Sequence, residues 1–350
     1  MQLEPRQHTP LWMTVSAPII AVTIVLILSG GLIMWAGAPL FESYVALFVG
    51  AFGSKFAIAE TLVRATPLIL TGLAAAVAFR AKLWNIGGEG QLYAGALAVT
   101  YFGTGLIELP PYLMIPFLFI VGATAGGLLL LFPALLKTRL KVDEVVTTLL
   151  LNFVILLFAN YLLFGPWKDP MAMGWPQGAP VLEEGILPNL LAKTRLHAGL
   201  IISVVMAVVI WLVMSKTKWG LEIRAVGHNP EAARFAGIPI NKTIIRTALI
   251  SGGLAACAGV TEVAGTKEYL TLDISPGFGY TGIAVAMLAG LNPLGVIVAA
   301  LFFAGIYNGA DSMSRAMDVS NYIADVITAG SLLMVMLAVM LTRMRIRFRA

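Results

Sequence analysis

Apolar residues occur along this chain in long blocks, and short polar stretches separate one block from the next. A helix that crosses a membrane needs about 20 apolar residues, and most of the blocks approach or reach that length. Ten blocks can be drawn as spanning helices, at about 15–36, 57–79, 88–107, 112–135, 143–164, 198–215, 244–264, 278–291, 294–310 and 322–342. The pattern predicts an all-α polytopic membrane protein with about ten transmembrane helices.

The eighth and ninth blocks are shorter, and only Leu291-Asn292-Pro293 separates them. They fit either one hairpin or a pair of partly re-entrant segments, so the expected number of spans is ten within about two. Composition supports the membrane class, because 59% of the residues are hydrophobic and only 12% are charged. We expect residues 1–350 to form a single transmembrane domain.

The distribution of Lys and Arg predicts the orientation. With the N-terminus inside, 16 of the 23 cations fall on the cytoplasmic side, six fall outside, and Arg64 lies within a helix. The inside group includes Arg6 and Arg349, so both ends of the chain are predicted to be cytoplasmic. The Lys and Arg of the cytoplasmic loops account for the net charge of +5, which does not call for a nucleic-acid partner. The Arg-rich run at 343–349 is expected to lie against anionic membrane lipid.

One polar, cation-rich stretch, residues 216–246, is the longest cytoplasmic connection, and residues 165–197 form the longest outer loop. Asn229-Pro230 is a helix-start signal, Glu231 follows in the favourable first turn, and Gly237 lets the chain turn out. Ala232 and Ala233 between them are expected to offer a flat surface for close approach. This short helix is either a knob for a partner's groove or an amphipathic connector on the lipid surface.

Several polar residues fall within or beside the apolar blocks, where an unpaired polar group is costly. They are expected to face the bundle interior or a wet pathway, or to form hydrogen bonds between helices. Glu89 lies among glycines that permit close approach, and it can equally cap the third helix. The candidate translocation-pathway residues are Asn85, Glu89, Gln91, Asn152, Glu262 and Asn308.

Two similar glycine triplets indicate an internal repeat. Gly88-Glu89-Gly90 leads into the third block, predicted at the cytoplasmic side, and Gly277-Phe278-Gly279 leads into the eighth, predicted at the outer side. Five helices followed by five in the opposite orientation would place the two triplets in this way. Such a 5+5 inverted repeat is a pointer to broken helices around a central pathway, although glycine pairs are common enough for coincidence.

The chain resembles a known family at two motifs. Residues 224–237, which contain Glu231-Ala232-Ala233 and Gly237, resemble the coupling loop of ABC-importer permeases of the ribose, branched-chain amino acid and nucleoside branch. Residues 79–91, Phe-Arg-Ala-Lys-Leu-Trp-Asn-Ile-Gly-Gly-Glu-Gly-Gln, are most similar to permeases of nucleoside importers that work with a basic-membrane-protein type of lipoprotein. The resemblance extends from about 57 to 342. The Ile-x-Leu-Pro tail of many other permeases is absent after Gly237.

The resemblance implies a multi-pass protein of the bacterial inner membrane that forms a translocation pathway, with nucleosides as the first expectation for the solute. It implies three partners: a cytoplasmic ATPase that docks on Asn229, Pro230, Glu231, Ala232, Ala233 and Gly237, an extracytoplasmic substrate-binding protein, and a second permease, with a heterodimer favoured. No Walker G-x-x-x-x-G-K-[ST] motif occurs in the sequence. We therefore expect no cofactor and no enzymatic activity in this chain, with ATP-Mg bound by the ATPase.

Alternative functions remain at this point. The same type of permease would serve for a pentose or related sugar. A secondary transporter driven by an ion gradient would need paired acids at mid-membrane and no coupling loop. An intramembrane enzyme is disfavoured because the sequence lacks His-Glu-x-x-His and G-x-S-x-G. The three histidines show no metal-ligand spacing.

Overall fold

Helices make up almost the whole of the computed structural model, which describes residues 2–5 and 10–347. The α-helices of the described residues are α1 (Leu11–Trp35), α2 (Leu40–Phe52), α3 (Lys55–Arg80), α4 (Gly88–Gly103), α5 (Pro111–Leu135), α6 (Glu144–Phe164), α7 (Gly199–Lys216), α8 (Lys218–His228), α9 (Pro230–Phe235), α10 (Ile240–Thr261), α11 (Phe278–Leu288), α12 (Pro293–Met317) and α13 (Asn321–Arg343). A π-helical turn extends α5 through Leu136–Leu140, and another extends α10 through Glu262–Lys267.

Eight of these helices are long and apolar enough to cross a membrane: α1, α3, α5, α6, α7, α10, α12 and α13. Each of the ten predicted segments falls on a helix, and α4 and α11 supply the two that are shorter than a full span. The predicted class, an all-α polytopic membrane protein, is confirmed. Helices α2 and α8 were not predicted.

The chain folds into two compact units. The first comprises residues 1–64 and 301–350, in which α1 packs on α13. In this unit β1 (Gln2–Pro5) pairs antiparallel with β2 (Met344–Arg347). The pairing places the first and last described residues side by side. Arg6 and Arg349, two of the cations used to predict orientation, lie outside the described residues.

The second unit, residues 65–300, is built around α4 and α10, which pack on each other and both on α5. Small residues allow this contact. A Cβ added to Gly259 of α10 would lie 1.9 Å from the carbonyl oxygen of Leu92, and one added to Gly95 of α4 would lie 2.1 Å from that of Ala256. Because the bilayer gives no hydrophobic drive between helices, such backbone-to-backbone packing supplies the attraction.

Helix α11 begins deep inside the membrane region. The Thr71 hydroxyl of α3 donates to the carbonyl oxygen of Phe278 at 3.0 Å, and Thr71 precedes the cytoplasmic end of α3, Arg80, by nine residues, or about 14 Å of rise. The other end of α11 reaches the cytoplasmic side, because the guanidinium of Arg80 donates to the carbonyl oxygen of Leu291 at 3.2 Å. α11 is therefore a half-helix.

Helix α4 begins at the same depth as α11. The N–H of Gly90 donates to the Asn152 side chain at 2.8 Å, and Asn152 lies eight residues, or about 12 Å, from the start of α6. A Cβ added to Gly88 would lie 3.1 Å from the carbonyl oxygen of Gly279, so the two glycine triplets are in contact. The predicted placement of these triplets at opposite faces is wrong, because both helices start after their connections have returned into the membrane.

Candidate functional site

Residues 81–87, which we call the re-entrant segment, carry non-helical backbone from the cytoplasmic end of α3 into the membrane. All seven of its N–H groups have acceptors. Four bond to backbone carbonyl groups of residues 78–83, and the N–H of Gly87 bonds to its neighbour Asn85 through the side-chain oxygen at 2.9 Å. The remaining two bond to side chains of α6. Irregular backbone is tolerated at membrane depth only when it is satisfied in this way.

Three side chains on one face of α6 hold the re-entrant segment. Glu144 accepts from the N–H of Trp84 at 3.1 Å, and the Thr148 hydroxyl accepts from the N–H of Ile86 at 3.2 Å. The Asn152 amide donates to the carbonyl oxygen of Ile86 at 2.9 Å. The three residues follow each other at intervals of four and so lie on one face. We call them the α6 stripe.

Asn85 and Gln91 form a closed pair. Each side-chain amide donates to the other's oxygen at 2.9 Å, and Asn85 also donates to the Ser251 hydroxyl of α10 at 3.1 Å. Asn152 likewise uses both ends of its amide, because its oxygen accepts from the N–H of Gly90 and its nitrogen donates to the Tyr280 hydroxyl at 3.0 Å as well. These three predicted pathway residues are brought together, and in this conformation their hydrogen bonds are to the protein itself.

Glu89 lies where the two half-helices meet. Its carboxylate is in the first turn of α4 and accepts from the N–H of Gly279, in the first turn of α11, at 2.7 Å. The Ser275 hydroxyl lies close to it. The residue is only 3% exposed. Glu89 therefore lies at the N-termini of both helices, whereas the sequence indicated a cap for one.

The other two predicted pathway residues make their hydrogen bonds to other groups. Glu262 is buried at the outer end of α10, where the Thr266 hydroxyl is 3.5 Å from its carboxylate. Asn308 belongs to the first unit, and its amide donates to the carbonyl oxygens of Gly50 and Ala57 and to the Thr61 hydroxyl, at 3.0–3.1 Å. A role in the pathway stays a prediction for all six residues.

The cytoplasmic connection contains two helices, where the sequence indicated one. α9 begins as predicted: the Asn229 side chain accepts from the N–H groups of Glu231 and Ala232 at 3.0 and 3.1 Å, and Pro230 occupies the first turn. It ends at Phe235, and Gly237 turns the chain out as predicted, with a φ of +78° that suits a residue without a Cβ. We call α9 the coupling helix.

The surface that the coupling helix presents differs from the expected one. Ala233 is buried, at 3% exposure, and packs with Leu83, Val226 and Ile244, so it is not part of a flat exposed surface. The side chain that projects from the helix is Phe235, which is 97% exposed. A six-residue helix has too few turns for sequence periodicity to reveal which alanine faces inward.

Direct contacts link the cytoplasmic connection, residues 216–246, to α3 and α11. A Cβ added to Gly227 of α8 would lie 1.8 Å from the carbonyl oxygen of Arg80, so α8 touches the end of α3 directly. Arg80 in turn holds Leu291 beyond the end of α11. The coupling helix, α8, Arg80 and α11 thus form a continuous series of contacts that ends at Glu89.

The outer loop, residues 165–197, is packed at its two ends. Trp167 stacks on Tyr101 with ring centroids 5.9 Å apart, whereas Trp175 is largely exposed. At the other end His197 is buried, and its Nδ1 accepts from the N–H of Gly199 at 3.2 Å. Burial lowers the pKa of His197 to about 4, so it is a neutral hydrogen-bonding group at neutral pH.

Comparison with known proteins gives a consistent set of relatives. A family model described as "Branched-chain amino acid transport system / permease component" matches residues 57–341. The guanosine ABC transporter permease protein NupP of Bacillus subtilis is 36% identical, over 89% of this chain and 90% of that protein. The glucose ABC transporter permease protein TsgB13 of Haloferax volcanii is 34% identical, over 94% and 89%.

A third relative, the nucleoside ABC transporter permease protein NupB of Lactococcus lactis, is 33% identical over 86% of this chain and 85% of that protein. Among solved structures, PsaBC from Streptococcus pneumoniae in complex with Fab matches with a TM-score of 0.50 and 12% identity. That match covers 84% of this chain and 95% of the other. At this identity the likeness concerns the fold alone.

The α6 stripe yields a matched test. Thr148→Val removes the acceptor for the N–H of Ile86 and leaves a buried donor unpaired, which costs about 1–3 kcal/mol. Thr147→Val makes the same chemical change one position away, where the hydroxyl bonds only to its own helix. We expect faster hydrogen exchange in residues 81–87 and a lower unfolding temperature for Thr148→Val only, measured in detergent. Equal effects in both variants would contradict the role of the stripe.

Proposed function

Because the chain belongs to the family of branched-chain amino acid transport permease components, we propose that it carries nucleosides across the membrane. It is a multi-pass permease subunit of an ABC importer in the inner membrane. The observation that carries the choice of solute is the 36% identity, over nine-tenths of both proteins, to a permease for guanosine. A simple sugar is the second candidate, since the glucose permease of Haloferax volcanii is 34% identical over a comparable length.

The chain itself is a permease and not an enzyme, and we propose that a separate ATPase subunit binds ATP-Mg and hydrolyses it. The coupling helix supports this assignment. Asn229 fixes the start of the helix, and Ala233 anchors its buried face. Its exposed face presents Glu231 and Phe235 to a partner. An exposed aromatic side chain on a short rigid helix is the kind of anchor that fills a pocket at a protein interface.

The contacts from α8 to α11 support a route for the coupling. A movement of the coupling helix would reach Arg80 through Gly227 and then α11 through Leu291. Because α11 is a short helix whose first turn lies against Glu89, a movement of its cytoplasmic end would be transmitted to the middle of the membrane. A substrate-binding protein outside and a second permease chain, related and not identical, complete the proposed assembly.

Variants of the coupling helix test the ATPase assignment. We expect Glu231→Arg and Phe235→Ala to lower both solute uptake and co-purification of the ATPase by about tenfold, as loss of an interface anchor does. Trp175→Ala, which removes an equally prominent aromatic side chain on the outer side, should leave ATPase binding unchanged. The assignment would be wrong if Glu231→Arg imported solute at the normal rate with the ATPase present.

Uptake measurements test the solute. Cells that lack their own nucleoside and glucose import, and that express this chain with its partner subunits, should accumulate radiolabelled guanosine in an ATP-dependent way. A matched assay with glucose distinguishes the second candidate. Import of a branched-chain amino acid, with neither guanosine nor glucose taken up, would overturn both assignments.

A further inference from the structure

The N-termini of two half-helices meet at a single buried carboxylate. Glu89 belongs to the first turn of α4, and the N–H of Gly279 in the first turn of α11 donates to it at 2.7 Å. The Ser275 hydroxyl caps α11 by accepting from the N–H of Phe278 at 2.9 Å, and it lies close to the same carboxylate. Within the described part of the chain, the hydrogen-bond donor to this carboxylate is a backbone amide and not a cation.

The arrangement is electrostatically balanced without a cation. Each helix N-terminus carries a partial charge of roughly +0.5, so two that converge offer about one positive charge. One carboxylate neutralises it. Transporters with broken helices commonly direct such N-termini at an anionic group of the substrate. In this chain the anion is part of the protein.

We propose that Glu89 is a specificity-determining residue. Its carboxylate occupies the anion position between α4 and α11, and the chain thereby excludes solutes that would bring a carboxylate or phosphate to that point. The proposal rests on the proposed function and deepens it, because nucleosides and simple sugars are uncharged and rich in hydroxyl groups. It also explains how a member of a family described by amino acid transport would reject amino acids.

A purely structural role for Glu89 makes different predictions from a charge role. A cap that only satisfies the N–H of Gly279 needs an acceptor oxygen, and Glu89→Gln supplies one at nearly the same place. A built-in anion needs the charge itself. Glu89→Gly removes both and leaves space between the helix N-termini for a small anion such as formate.

The first measurement needs no transported solute. The full-length chain is purified in detergent, and its unfolding temperature is measured as formate is added. We expect Glu89→Gly to unfold at a lower temperature than wild type and to regain stability with formate in a saturable way. Wild type should not respond, and neither should Glu262→Gly, which removes a buried carboxylate at the outer end of α10. Absence of rescue in a folded Glu89→Gly protein would overturn the proposal.

A second measurement applies even if Glu89→Gly does not fold. The infrared difference spectrum of wild type minus Glu89→Gln at neutral pH should contain the bands of an ionised carboxylate. A difference band from a protonated acid would show that no anion occupies the position, and the proposal would be wrong.

The third measurement addresses selectivity. In guanosine uptake, a nucleoside with a carboxylate in place of its 5′-hydroxymethyl group should inhibit Glu89→Gly at about tenfold lower concentration than wild type, since the bare helix N-termini would attract it. Equal inhibition of the two would contradict the proposal. If wild type took up neither guanosine nor glucose while formate rescue succeeded, the proposed solutes would be wrong. The assignment of the Glu89 carboxylate to the anion position would still be supported.

Discussion

The fold of the second unit depends on one constraint: backbone polar groups inside a bilayer must find partners within the protein. Two connections of this chain return into the membrane before their helices begin, and each such stretch exposes N–H and C=O groups that lipid cannot satisfy. The α6 stripe, the Asn85 side chain and Glu89 supply those partners. Without them neither α4 nor α11 could start at mid-membrane.

The same constraint accounts for the link between the cytoplasmic face and the centre of the membrane. Because α11 starts at Glu89 and ends beside Arg80, one short helix covers the distance from the coupling region to the junction of the half-helices. Gly279 and Gly282 keep α11 in direct contact with α4 and α3, and Gly227 keeps α8 in direct contact with the end of α3. Close backbone packing of this kind has few intermediate arrangements, which suits a two-state transporter.

Much of the architecture was predictable from the sequence, because a block of apolar residues of membrane length has few alternatives to a spanning helix. The limits of the coupling helix were also predictable, since Asn229, Pro230 and Gly237 act through local backbone geometry. The 13-residue α2 was missed because it is too short for a span. The depth at which α4 and α11 begin was missed because it depends on contacts between residues distant in sequence.

Two parts of the candidate site could have been found by a closer look at the sequence. Glu144, Thr148 and Asn152 recur every four residues in an otherwise apolar helix, a pattern that indicates one polar face. A phenylalanine in a short polar connection, such as Phe235, indicates a contact surface. The partners of Glu89 were beyond reach, since Gly279 lies 190 residues away and contributes only its backbone N–H.

The central claim is that α4 and α11 both begin inside the membrane, after connections that enter from opposite sides, and it can be tested by photo-crosslinking from position 280. The Tyr280 hydroxyl lies 3.0 Å from the Asn152 amide, so a phenylalanine that carries an azide in place of this hydroxyl would have α6 within reach. We predict that mass spectrometry will locate its cross-links in residues 86–90 or at Asn152. Cross-links confined to the outer loop, residues 165–197, would place the start of α11 at the outer surface and contradict the account.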